Sequence, residues 1–76
     1  MNKTDTLDAR GLLCPLPVLK ARKALSRLPE GAVLRVLTDD PAALIDMPHF
    51  CHEAGHEILE TAEIENAHAF TLRKAG

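Results

Sequence analysis

The chain predicts an α+β fold: a two-layer α/β sandwich of order βαβαββ, with two helices on one face of a four-stranded mixed sheet. Three observations predict it. The stretch that opens at Pro15 carries apolar residues at helical spacing. Ala32–Thr38, which follows it, is nearly continuous apolar sequence with two valines. The last third holds two short alternating runs joined through Asn66.

Thr4 to Ala9 reads as a short, half-polar first strand, and Arg10-Gly11 as a turn. Proline is well tolerated at the first helical position, where its missing N–H would be unpaired anyway. Pro15 therefore predicts a helix start with Cys14 at the N-cap, and the helix runs to about Leu28. Val18, Ala21, Leu25 and Leu28 form its buried stripe, which Leu19 widens. Lys20, Lys23 and Arg27, with Arg22 beside them, form a basic face. Pro29-Glu30-Gly31 stops the helix. Ala32–Thr38 predicts a central strand buried on both faces, Arg35 excepted.

Asp39-Asp40-Pro41 repeats the start signal, an Asp N-cap before proline. A second helix is expected from Pro41 towards Ala54, broken near Asp46-Met47 by Pro48 and ended by Gly55 as a left-handed cap. Glu57–Glu65 and Ala67–Lys74 then form an antiparallel hairpin, with Asn66 supplying positive φ in the turn. Ala62 and Ile64 alternate with glutamates, and Phe70 and Leu72 with Thr71 and Arg73. The crossover between the first two strands is expected to be right-handed and parallel.

Seventy-six residues predict one domain, 1–76, with modest stability on the order of 5 kcal/mol. The core is aliphatic, since the chain has two Phe and neither Trp nor Tyr. A formal charge of −2 and the lack of aromatic platforms argue against direct nucleic-acid binding. No run is long enough to span a bilayer, and Met1-Asn2-Lys3 leads straight into polar residues. A cytoplasmic location is expected, where both cysteines stay reduced, and the Gly76 end is expected to fray.

Gly11-Leu12-Leu13-Cys14-Pro15-Leu16-Pro17 carries the chemistry. Neither proline donates an N–H, so the remaining amides of the first turn face the thiol. A helix N-terminus favours an anion by about 0.3–1 kcal/mol, and such sites lower a cysteine pKa from about 8.5. Cys14 is therefore expected to be an exposed, partly ionised nucleophile.

Other signals are weaker. His52-Glu53-Ala54-Gly55-His56 matches the H-E-x-x-H zinc pattern, but that motif needs both histidines on one continuous helix and Gly55 is the helix stop. No metal is expected from it, nor from His49, Cys51, His52 and His56, whose spacing fits no standard zinc site. Cys51 reads as a packed small residue, with a resolving partner for Cys14 as the alternative. The basic helix face reads as a solvated face or a docking surface for an acidic partner. Asp39 and Asp40 read as structural first and partner-contacting second.

The runs Asp8–Pro17, Arg22-Lys23, Thr38–Ala42, Asp46–Cys51 and Gly55–Glu57 resemble the TusA/SirA family of small sulfur-carrier proteins. Cys-Pro-x-Pro is the most specific of these elements, and Asp-Asp-Pro-Ala adds to it. The resemblance implies the same βαβαββ fold. It implies that Cys14 accepts sulfane sulfur as a persulfide from a cysteine desulfurase or other persulfide donor. The sulfur then passes to a downstream acceptor thiol, towards tRNA 2-thiouridine or other sulfur metabolism, without a cofactor. Gly11, Pro15, Pro17, Arg22, Lys23 and Asp40 are the expected supporting or partner-binding residues, Arg22 and Asp40 by their match to family positions. Leu16, often polar in relatives, points to a different partner preference. Two other classes fit the residues alone: a thiol redox or regulatory module using Cys14 and Cys51, and a plain interaction domain.

Overall fold

The computed structural model describes residues 4–75, so the readings of Met1-Asn2-Lys3 and Gly76 lie outside the described residues. The elements are β1 (Thr4–Asp8), α1 (Leu16–Ser26), β2 (Val33–Thr38), α2 (Ala43–Ala54), β3 (Glu57–Ile64) and β4 (Ala67–Arg73). The order and the mixed four-stranded sheet are those the sequence predicts. In space the strands run β1-β2-β4-β3. β1 and β2 are parallel; β2 with β4, and β4 with β3, are antiparallel.

One core holds the layers together. Leu34 and Val36 of β2 and Phe70 and Leu72 of β4 pack against Ala21 and Leu25 of α1 and Met47, Phe50 and Cys51 of α2. Val18, Ala24 and Leu28 pack at the margin of this core, as the helical spacing requires. Leu19 instead faces solvent and does not widen the stripe. The α1 end is tied to the sheet by Lys74, whose Nζ donates to the Leu28 carbonyl at 2.6 Å.

Several expectations are corrected. β2 is buried on one face only, with Val33, Arg35 and Leu37 half-buried on the other, because both helices lie on the same side. α1 begins at Leu16 with Pro15 at its N-cap, one residue later than predicted, since the Leu16 amide is still held in a turn by the Leu13 carbonyl at 2.8 Å. α2 begins at Ala43, with Ala42 rather than Asp40 at the N-cap. Before it the chain runs in tight turns, Ala43 N–H to Asp40 O and Leu44 N–H to Pro41 O, until Asp46 N–H reaches Ala42 O at 2.9 Å.

α2 also continues through Pro48 without a break. An interior proline removes the bond to the carbonyl four residues back and crowds that carbonyl with its ring. That carbonyl belongs to Leu44, and Leu44 and Pro48 are both exposed, so the proline falls on the solvent side of the helix. Gly55 has φ 81 and ends the helix as predicted. In the hairpin the positive φ falls on Glu65, at 53°, not on Asn66. Positive φ at the first of two central residues is the pattern of II′ turns. An irregularity between Ile58 and Glu60 shifts the alternation of β3. Ile58 lies opposite core residue Leu72, while Ala62 and Ile64 fall opposite Ala69 and Ala67, on the sheet face away from the helices.

Candidate functional site

The loop from β1 to α1 is built by aspartates. Asp8 holds Arg10 in a fork, Nε to Oδ1 and Nη2 to Oδ2 both at 2.9 Å, and its carboxyl is held down at about 2 by those bonds. Gly11 turns the chain with φ 83, a conformation that favours glycine, and its N–H donates to Asp39 Oδ1 at 2.9 Å. The Cys14 N–H donates to Asp40 Oδ2 at 2.6 Å, while Asp40 Oδ1 accepts the Ala42 N–H at 3.1 Å. The segment after β2 thus clamps the cysteine loop at two points. The Cys14–Pro15 peptide is cis.

The Cys14 side chain is exposed, and its thiol donates to Asp46 Oδ2 at 2.7 Å. It sits at the mouth of an open groove of about 480 Å³ between α1 and α2, lined by Pro15, Val18, Arg22, Asp46, His49 and Phe50 among others. The Arg22 guanidinium lies over the Phe50 ring at 5.5 Å, and that ring meets His56 at 5.5 Å. Leu13 and Leu16, in the cysteine loop and at the start of α1, and Ile45 of α2 are exposed, Leu13 and Ile45 at 70% and 76%.

The predicted depression of the Cys14 pKa is overturned. The hydrogen bond to Asp46 pushes it up, followed by partial desolvation and the charges of Asp46 and Asp40. The helix tip does not compensate, because its amides are largely committed. Leu16 donates to Leu13 O and Leu19 to Pro15 O, Pro17 has no N–H, and Val18 is left as the open amide of that turn among the described residues.

The expected supporting residues are only partly brought together. Pro15 and Arg22 line the groove with Cys14. Asp40 clamps the loop beside it, and Gly11 makes the turn before it. Pro17, buried, lines a smaller hollow together with Cys14, Pro15, Asp40 and Asp46, whereas Lys23 lies exposed outside the groove. Sequence reading missed the face formed by Asp46, His49, Phe50 and Glu53. Their spacing of three, four and seven along one helix was the available signal.

Cys51 is 2% exposed, a core residue whose burial pushes its thiol up to about 11. His56 leaves the helix after Gly55, and its Nδ1 accepts the Ala75 N–H at 3.0 Å. His52 and His56 therefore do not project from one continuous helix. Among the described residues there is no group of three or more His, Cys, Asp or Glu that could hold a metal ion. No described helix is long and apolar enough to cross a membrane.

Fold and site define a class of small two-layer domain whose distinctive feature is an exposed thiol, pinned by carboxylates in a Cys-Pro-x-Pro loop. The family described as Sulfurtransferase TusA matches residues 5–74, and the chain belongs to that family. It is similar to a protein of Neisseria meningitidis serogroup A provisionally named a sulfur carrier, 45% identical over 91% of this chain and 90% of that one. The sulfur carrier protein TusA of Allochromatium vinosum is 39% identical over 91% of each chain. The crystal structure of a SirA-like protein from Desulfitobacterium hafniense superposes with a TM-score of 0.83 at 32% identity, covering 97% of this chain and all of that one.

Proposed function

We propose that this protein is a sulfur carrier, working as one domain over residues 1–76, that accepts sulfane sulfur as a persulfide on Cys14. The donor is a cysteine desulfurase or a related persulfide protein, and the recipient is an acceptor thiol on a downstream protein. The observation that carries this reading is the exposed Cys14 thiol, fixed at the mouth of an open groove by Asp40 and Asp46. Membership of a family whose relatives are named sulfur carriers supports it.

The step needs only thiol chemistry. Cys14 Sγ attacks the outer sulfur of the donor persulfide, the new S–S bond forms as the donor's breaks, and the electron pair leaves on the donor sulfur. The proton that Cys14 gives up ends on that donor thiolate, so thiol and persulfide exchange with no oxidant. The acceptor thiol repeats the step on Cys14, and the sulfur is delivered. Both partners are proteins, which suits an open groove better than a closed pocket. Arg22 and the basic face that includes Lys23 are assigned to docking, Gly11, Pro15 and Asp40 to shaping the loop, and Pro17 to anchoring it in the core. The carrier works in the cytoplasm, where thiols stay reduced, and reaches tRNA thiolation or other sulfur metabolism through its acceptor rather than by binding nucleic acid itself.

Incubation with a cysteine desulfurase and cysteine, followed by intact mass measurement without reductant, tests this. Wild type and Cys51→Ser should each gain one sulfur atom, and Cys14→Ser none. A loss of two hydrogens in place of the added sulfur would favour a Cys14–Cys51 redox module instead.

A further inference from the structure

The carrier reading needs a sulfur nucleophile, yet the groups around Cys14 oppose one. From α2, Asp46 takes the thiol hydrogen bond at 2.7 Å, and His49 and Glu53 line the same groove. From the loop after β2, Asp40 is bonded to the backbone of Cys14 itself. From α1 the groove cation is Arg22, and its guanidinium is spread over Phe50. Among the described residues the ion pairs are Arg10–Asp8 and Arg73–Glu57, so no described cation pairs with Asp40 or Asp46. A thiolate here would face two carboxylates and gain little from the mostly committed amides of α1.

We propose that Asp46 is a positioning residue that holds the proton on Cys14 in the free carrier, and that a cationic side chain of the docked sulfur-donor protein releases it by pairing with Asp46. The inference rests on the carrier reading of the same site. It turns an unfavourable arrangement into protection: the exposed thiol stays quiet towards oxidants and stray electrophiles until a partner of the right charge arrives. It also gives the partner a chemistry, an Arg or Lys placed beside its own persulfide. In the free protein the same hydrogen bond holds Sγ against α2. Pairing of Asp46 with a cation weakens its hold on the thiol proton, which then moves to the departing donor thiolate in the exchange written above.

The test is the pH profile of Cys14 alkylation by neutral iodoacetamide, with the modified peptide identified by mass. Wild type should show a midpoint above that of a free cysteine. Asp46→Asn, which keeps the side-chain shape, should lower the midpoint by about one pH unit or more. A tenfold gain in thiolate fraction, offset by the weaker nucleophilicity of a less basic thiolate, raises the rate at pH 7 about threefold. His49→Lys, one turn from Asp46, supplies a cation in cis and should lower the midpoint with Asp46 intact, whatever becomes of the Asn variant. Loading from a cysteine desulfurase should slow with added salt in wild type and lose part of that dependence in Asp46→Asn. An unmoved midpoint in both variants overturns the proton-holding role, and an unchanged salt response overturns the cation. Alkylation needs no donor, so these outcomes are separate from a failure of sulfur loading, which would strike the carrier reading alone.

Discussion

At the scale of the residue, two cysteines in one small chain are given opposite fates by their surroundings. Cys14 is exposed and hydrogen-bonded, whereas Cys51 lies in the core with its thiol pushed up to about 11. Iodoacetamide at pH 8 should therefore modify Cys14 in the native protein and spare Cys51 until denaturant is added; equal labelling would contradict the packing. Asp40 serves two amides at once, those of Cys14 and Ala42. Asp40→Ala should cost about 1–3 kcal/mol in urea denaturation and speed hydrogen exchange at the Cys14 amide. Cys14 was legible in the sequence because a cysteine between a glycine turn and a proline-led helix has few structural reasons to be there. Asp46 was not, because its contact spans 32 positions and depends on how two helices meet. That missed contact also reversed the sign of the thiol's pKa shift, since a carboxylate at bonding distance outweighs a helix dipole worth a fraction of a kcal/mol to about 1 kcal/mol.

At the scale of the element, hydrophobic patterning together with start and stop signals located every helix and strand, and errors gathered at their ends. α1 and α2 each start later than the proline signal suggests, because a turn of tight i→i+3 bonds precedes them. α2 continues through Pro48, which like Leu44 four residues before it lies on the exposed side of the helix. Pro48→Ala should return the bond to the Leu44 carbonyl and raise stability by about 1–3 kcal/mol in thermal or urea unfolding. A loss of stability would mean that the proline shapes α2 so that Met47 and Phe50 reach the core. In β3 the irregularity at Ile58–Glu60 turns Ala62 and Ile64 to the far face. A strand's alternation can be read from sequence, but an extra residue that flips it cannot.

At the scale of the whole molecule, the layers divide the labour. The helix side of the sheet holds the core, and the gap between the two helices holds the groove. The cysteine loop crosses to the loop after β2 through Asp39 and Asp40. Two-layer architecture was legible because the segments alternate in period. The one-sided burial of β2 was not, because nearly continuous apolar sequence serves a strand covered on one face or on both. The core thiol gives the fold a pH limit. Below about 8.5 Cys51 is protonated in folded and unfolded chains alike, so it contributes no slope. Between there and about 11 the unfolded chain releases its proton and the folded chain keeps it, so stability falls as pH rises, by on the order of 3 kcal/mol across the window. Urea midpoints from pH 7 to 11 should fall more steeply for wild type than for Cys51→Ala, whose other titrations are shared.

The central claim is that sulfur travels on one thiol at the mouth of the inter-helix groove. Its most direct test is to load the protein with a cysteine desulfurase and cysteine, cap free thiols and persulfides with iodoacetamide, and map the sulfur by tryptic mass analysis. The account predicts one extra sulfur atom on the peptide Gly11–Lys20 and none on the peptide Val36–Arg73. Sulfur on the Cys51 peptide, or a fully capped Cys14 with no added sulfur after an active desulfurase has turned over, would contradict it.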